Sequence, residues 1–230
     1  MKKSKVGQCA YCRENKTITR DHVISKGLYP DGYDKADPII APSCRECNGG
    51  FSKDEEYFRL FLNNFSMEHS KESKDVFNTK IRRSIKLRPP IGHKMMKKME
   101  LVDYFTESGI YAGKMTKISI SDEDWTRYHN VLDKYIKGLF YYEFNAPLPE
   151  DFKTKHILGD KDEYLLKITR QVNKWNKDDK EVFAYAYNSI PDSYNSIWVT
   201  VYYNTIVFIS FVVAREEFDK MEEMTQNPDL

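Results

Sequence analysis

Cys9 and Cys12, and then Cys44 and Cys47, are two cysteine pairs with two residues inside each pair and 31 residues between the pairs. Two intervening residues let both thiolates of a pair reach one ion from a tight turn, and two such turns complete a tetrahedral all-sulfur zinc site. No cysteine is left over. A closed four-sulfur site has no open position, so its work is folding and not catalysis. Between the pairs lies Thr19-Arg20-Asp21-His22-Val23-Ile24, and Asn48 follows the last cysteine directly.

This arrangement resembles the HNH (ββα-metal) nuclease family in its zinc-stabilised form, over about residues 7–62, roughly a quarter of the chain. The resemblance implies a ββα-metal, treble-clef domain with the Asp-His segment on a strand and Asn48 on the helix after the second knuckle. It implies a DNA endonuclease, with His22 as the general base toward water. Asp21 and Asn48 would be ligands of a catalytic divalent cation, Mg²⁺ with Mn²⁺ as substitute. Restriction, phage defence and mobile-element roles occur among similar proteins. Adjacent Asp21 and His22 on a regular strand point to opposite sides, so serving one phosphate requires a bulged or twisted hairpin. Relatives carry another Asn before the second knuckle, whereas Asp37–Ser43 has none, and Gly49-Gly50-Phe51-Ser52 stands where many have a basic residue. A zinc module that only binds nucleic acid or a protein is the competing expectation.

The charge pattern suits either a solvated lysine-rich face, the commoner case for charge runs alone, or a polyanion such as nucleic acid. Net charge is only +1. Residues 1–30 nevertheless hold seven basic against two acidic side chains, and residues 71–100 ten against three. Arg20 and Arg45 flank the proposed site, where either could clamp a phosphate or equally be an exposed charge. Arg82, Arg83, Lys86 and Arg88 could follow a DNA or RNA backbone. His69, His93, His129 and His156 have no metal spacing.

The elements that must position these residues read as an α+β chain: a zinc domain over 1–65, a basic linker over 66–98, and a larger unit with an antiparallel sheet over 99–230. Ser52 and Glu55 read as a capping box opening a helix to about Phe65, with Tyr57, Leu60, Phe61 and Phe65 near one face. Pro89-Pro90 reads as a break followed by loop. Ser121 and Asp124 open a second helix carrying Trp125, Tyr128, Leu132, Tyr135 and Ile136, a core stripe and not a base-stacking surface. Strands are expected near 99–106, 110–120, 182–188, 195–203 and 206–213, a strand or helix over 163–176, and a helix over 215–225. Residues 197–214 carry no charge over a length that could span a bilayer. Their Val, Ile, Thr and aromatic content and the Asn204-Thr205 turn point instead to two buried strands, and so to no membrane. With no export signal in the basic start, the protein is expected in the cytoplasm with reduced thiols. A homodimer or a regulatory protein partner fits the unassigned remainder.

Overall fold

The structure, a computed structural model, describes residues 5–33, 38–159, 175–179 and 182–226. It is α+β, as expected. The N-terminal part is a three-stranded antiparallel sheet of β1 (Lys5–Gln8), β2 (Asn15–His22) and β3 (Ile40–Cys44), in that order. Helix α1 (Arg45–Gly50) leaves directly from β3, and α2 (Ser52–Ser66) follows. The expected capping box at Ser52 does not form. Ser52 is already helical, Phe51 is the cap without a side-chain bond, and Glu55 reaches elsewhere. The buried face of α2 is Tyr57, Phe58, Phe61 and Leu62, whereas Phe65 is 41% exposed.

Residues 71–96 are more helical than expected. They form α3 (Lys71–Val76), a π turn (Phe77–Ile81), α4 (Arg82–Leu87) and α5 (Pro89–Met96). The expected loop at Pro89-Pro90 is instead a helix start. Proline breaks a helix from within but suits its first turn, where the missing N–H has no partner to lose. A two-stranded hairpin, β4 (Met99–Phe105) and β5 (Tyr111–Ile118), turns at Gly109 with φ +81°.

Helix α6 (Asp122–Phe144) organises the rest. Its start is the expected capping box. Ser121 donates its backbone N–H to Asp124 at 2.8 Å, and Asp124 also accepts from the Tyr57 hydroxyl at 2.7 Å and pairs with Lys98. Burial pushes the Asp124 carboxyl up, but the bonds from Lys98, Ser121 and Tyr57 outweigh it and hold it well below the usual range. The helix ends where Asn145 turns left-handed, φ +52°. Tyr128, Leu132, Tyr135 and Ile136 are buried, so the aromatic stripe is core.

A five-stranded antiparallel sheet completes the fold, with β6 (Phe152–Leu158), β7 (Trp175–Asp179), β8 (Phe183–Ser189), β9 (Ser196–Tyr202) and β10 (Ile206–Ala214). Its order is β6-β10-β9-β8-β7, and α7 (Arg215–Gln226) follows. Strands β9 and β10 are the uncharged run, joined through Tyr203 and Asn204 at positive φ. Among the described residues no helix is long and apolar enough to cross a membrane. Most of 163–176 lies outside the described residues, and β6 was not foreseen.

One buried core unites segments that the sequence divides at 65 and 99. Val23, Ile24, Phe58 and Phe61 share it with Tyr128, Leu139, Tyr202 and Phe208. Each such side chain contributes about 1.5–3 kcal/mol by leaving water. Gly138 sets the closest approach. A Cβ there would lie 2.5 Å from Cγ1 of Val23, the residue after the Asp-His pair. Gly138→Ala should therefore destabilise the protein by about 1–3 kcal/mol, despite alanine's better helix propensity, because valine cannot turn aside. Urea unfolding measures it, and a gain in stability would show that the helix does not press on Val23.

Asp124 adds a pH dependence. Its depressed folded-state pKa contributes stability above the ordinary carboxylate value of 3.8, lost as pH falls below it. Asp124→Asn should cost about 2–3 kcal/mol near neutrality, a gap that begins to narrow only as pH falls below 3.8. Parallel urea titrations across that range read the difference.

Candidate metal centre and the Asp-His strand

The four thiols converge. All four Sγ atoms lie within 4.8 Å of one another, and Cys12 and Cys44 are 4.0 Å apart. Sulfurs at about 2.3 Å from zinc form a tetrahedron with edges of about 3.8 Å, so the donor set fits that ion. The first knuckle is a tight turn. The backbone N–H groups of Arg13 and Cys9 bond to Cys9 and Glu14 carbonyls, and Arg13 adopts φ +65°. The second knuckle is a helix start, where the Cys44 sulfur caps α1 by accepting from the Cys47 N–H at 3.4 Å. Ala10 donates its N–H to the Pro42 carbonyl at 2.9 Å, which ties the two knuckles together.

The thiols feel this crowding unequally. Burial pushes Cys9 up, but N–H groups of Cys12, Cys44 and Tyr11 outweigh it and draw the thiol down to about 7. Burial and the neighbouring Cys44 and Cys9 sulfurs push Cys47 well up. A cation at the centre reverses that penalty, since coordinated thiols lose their protons.

On β2 the register with β3 runs without a shift, pairing Asp21 with Ala41 and His22 with Ile40. No bulge turns Asp21 and His22 to one side. Asp21 is buried. It accepts from the Tyr11 hydroxyl at 2.8 Å and lies 3.1 Å from the Lys134 ammonium. Lys134 comes from α6, is 2% exposed, and also meets Glu55 at 2.7 Å. Burial and the charge and bond of Asp21 hold the Tyr11 phenol well above its usual value. Asn48, on α1, donates to the Thr19 hydroxyl at 3.0 Å, two residues before Asp21 and so on the same face of β2.

His22, half-buried, lines a different cleft of about 330 Å³ together with Lys26, Tyr29, Asp31, Tyr33 and Lys80. The basic segment reaches this cleft. Lys80 and Arg83 pair with Asp31 at 3.5 and 3.1 Å. Arg88 is taken by Glu56 at 2.8 Å, while Arg82 and Lys86 stand exposed on α4. Arg45 is exposed at the start of α1, and Arg20 lines a larger cleft of about 960 Å³ on the three-stranded sheet with Lys5, Thr19 and Tyr141. Thus β2 places Asp21 and Thr19, the partner of Asn48, on one face and His22 on the other. Asp37 lies outside the described residues.

No family model matches the chain, and no curated protein or solved structure matches it. The sequence reading missed Tyr11, Glu55, Lys80 and Lys134. Glu55 looked like a cap, and only the fold brings it and Lys134 together beside Asp21. His156, read as ordinary, is bonded at 2.8 Å to both Asp133 and Ser210. Ser210 is 0% exposed, so this trio ties α6 to the sheet and cannot present a nucleophile.

Stripping zinc with a strong chelator should expose the β2 and β3 amides to hydrogen exchange. Thiolates and not thiols bind, so metal retention should fall as pH is lowered. Unchanged protection after chelation would show that the thiols carry no structural metal.

Proposed function

We propose that this chain is an HNH-type endonuclease that hydrolyses phosphodiester bonds, with DNA as its first substrate. One observation carries the reading: the two cysteine pairs fasten the β2–β3 hairpin to α1 so that Asn48 bonds to the strand bearing Asp21 and His22. The chemistry follows from residue types. His22 sits in an open cleft, and a neutral imidazole there takes a proton from an attacking water. Lys26 lines the same cleft and offers an ammonium group to phosphate oxygens, while Lys80 beside it is held by Asp31. Arg20, Arg45, Arg82 and Lys86 are exposed and extend that positive surface with salt-dependent, sequence-blind contacts. A carboxylate and an amide oxygen, Asp21 and Asn48, are the donor types for Mg²⁺ or Mn²⁺, which when bound would stabilise charge developing on the phosphate. Zinc holds the frame.

A second reading has its own observation. Asp21 is already neutralised by Lys134, which favours a zinc module that binds nucleic acid without cutting it.

Incubating plasmid DNA with the full chain and Mn²⁺ or Mg²⁺ separates the two. His22→Ala should slow cleavage by roughly 10²–10⁴-fold, the usual worth of a general base. Equal cleavage by both proteins would remove His22 from the chemistry. Binding without cleavage, on DNA and RNA alike, would favour the second reading.

A further inference from the structure

The geometry points to Lys134 as the resident cation of the Asp21 site, an internal ammonium that a divalent cation must displace before it can bind Asp21. This rests on the reading of Asp21 and Asn48 as ligands. Three observations support it. The Lys134 side chain is 2% exposed and its Nζ lies 2.7 Å from Glu55 and 3.1 Å from Asp21. The Tyr11 and Phe51 rings flank the ammonium at 5.7 and 5.8 Å, walls that favour a cation and exclude water. The Tyr11 hydroxyl donates to the same Asp21 oxygen, Oδ2, that faces Lys134.

The electrostatics make the two cations exclusive. A divalent ion on Asp21 would stand within a few ångströms of a buried ammonium, where screening is weak and like charges repel strongly. Lys134 belongs to α6, so the part of the chain without an assigned role reaches into the candidate site and sets its charge. Removing the ammonium leaves Asp21 and Glu55 facing each other, a pair of carboxylates near the Asn48 face of β2 that calls for a cation or a proton.

The test is Asp21-dependent Mn²⁺ binding by the zinc-loaded full chain. Electron paramagnetic resonance counts free Mn²⁺, and each protein is compared with its own Asp21→Asn version. The native chain should show no such binding up to roughly 1 mM, the weak end of protein divalent-cation sites. Lys134→Met should take up one Mn²⁺ at least tenfold more tightly and lose it with Asp21→Asn. Lys134→Gln, which keeps a hydrogen-bond donor toward Glu55, replaces Lys134→Met if the latter fails to retain zinc. Asp21-dependent Mn²⁺ binding by the native chain tighter than roughly 1 mM would overturn this inference and leave the nuclease reading standing. Folded, zinc-loaded Lys134 variants that still bind no Mn²⁺ would overturn both this inference and the ligand role of Asp21.

Discussion

Four thiols gathered within 4.8 Å are a constraint that the protein around them does not meet by itself. Their crowding is unfavourable until a cation draws the protons off, and it then becomes the strongest link in the N-terminal part. That link has direction. One pair sits in the turn before β2 and the other at the junction of β3 and α1. Closing the site therefore fixes hairpin and helix together, with Asn48 against Thr19. The strand between carries Asp21 on one side and His22 toward the other, an arrangement that neither β2 nor α1 could hold alone.

The second layer of order is the burial of a charge. Lys134 joins β2, α2 and α6 through Asp21 and Glu55. A buried pair is poor evidence of net stability, because desolvation offsets much of the attraction. It is good evidence of alignment, since misplacing any of the three elements leaves a charge uncompensated. Val23 against Gly138 supplies the matching steric limit one turn further along α6. Together they align the four-cysteine segment with the large sheet, which share one core.

Legibility in the sequence followed the range of each interaction. Knuckle spacing, the Ser121–Asp124 cap and the β9–β10 hairpin are encoded within a few residues, and each was readable. Pro89-Pro90 misled because a breaker inside a helix and a helix start look alike without knowing which turn comes first. Ser52–Glu55 misled because Glu55 had a better partner 79 residues away. Strand β6 was missed, its Phe-Lys-Thr-Lys start giving little apolar signal until β10 pairs with it. In the candidate site, Asp21, His22 and Asn48 could be named from sequence. Whether a bulge would bring Asp21 and His22 to one face, and the ammonium beside Asp21, could not be read, for they depend on register and on a helix more than a hundred residues away.

The central claim is that one zinc ion, held by Cys9, Cys12, Cys44 and Cys47, orders the strand that carries Asp21 and His22. X-ray absorption at the zinc edge of the purified chain, with metal content measured on the same sample, tests it most directly. The account predicts one zinc per chain with four sulfur neighbours at about 2.3 Å. Nitrogen or oxygen ligands in the shell, or a folded chain with no zinc and four free thiols, would contradict it.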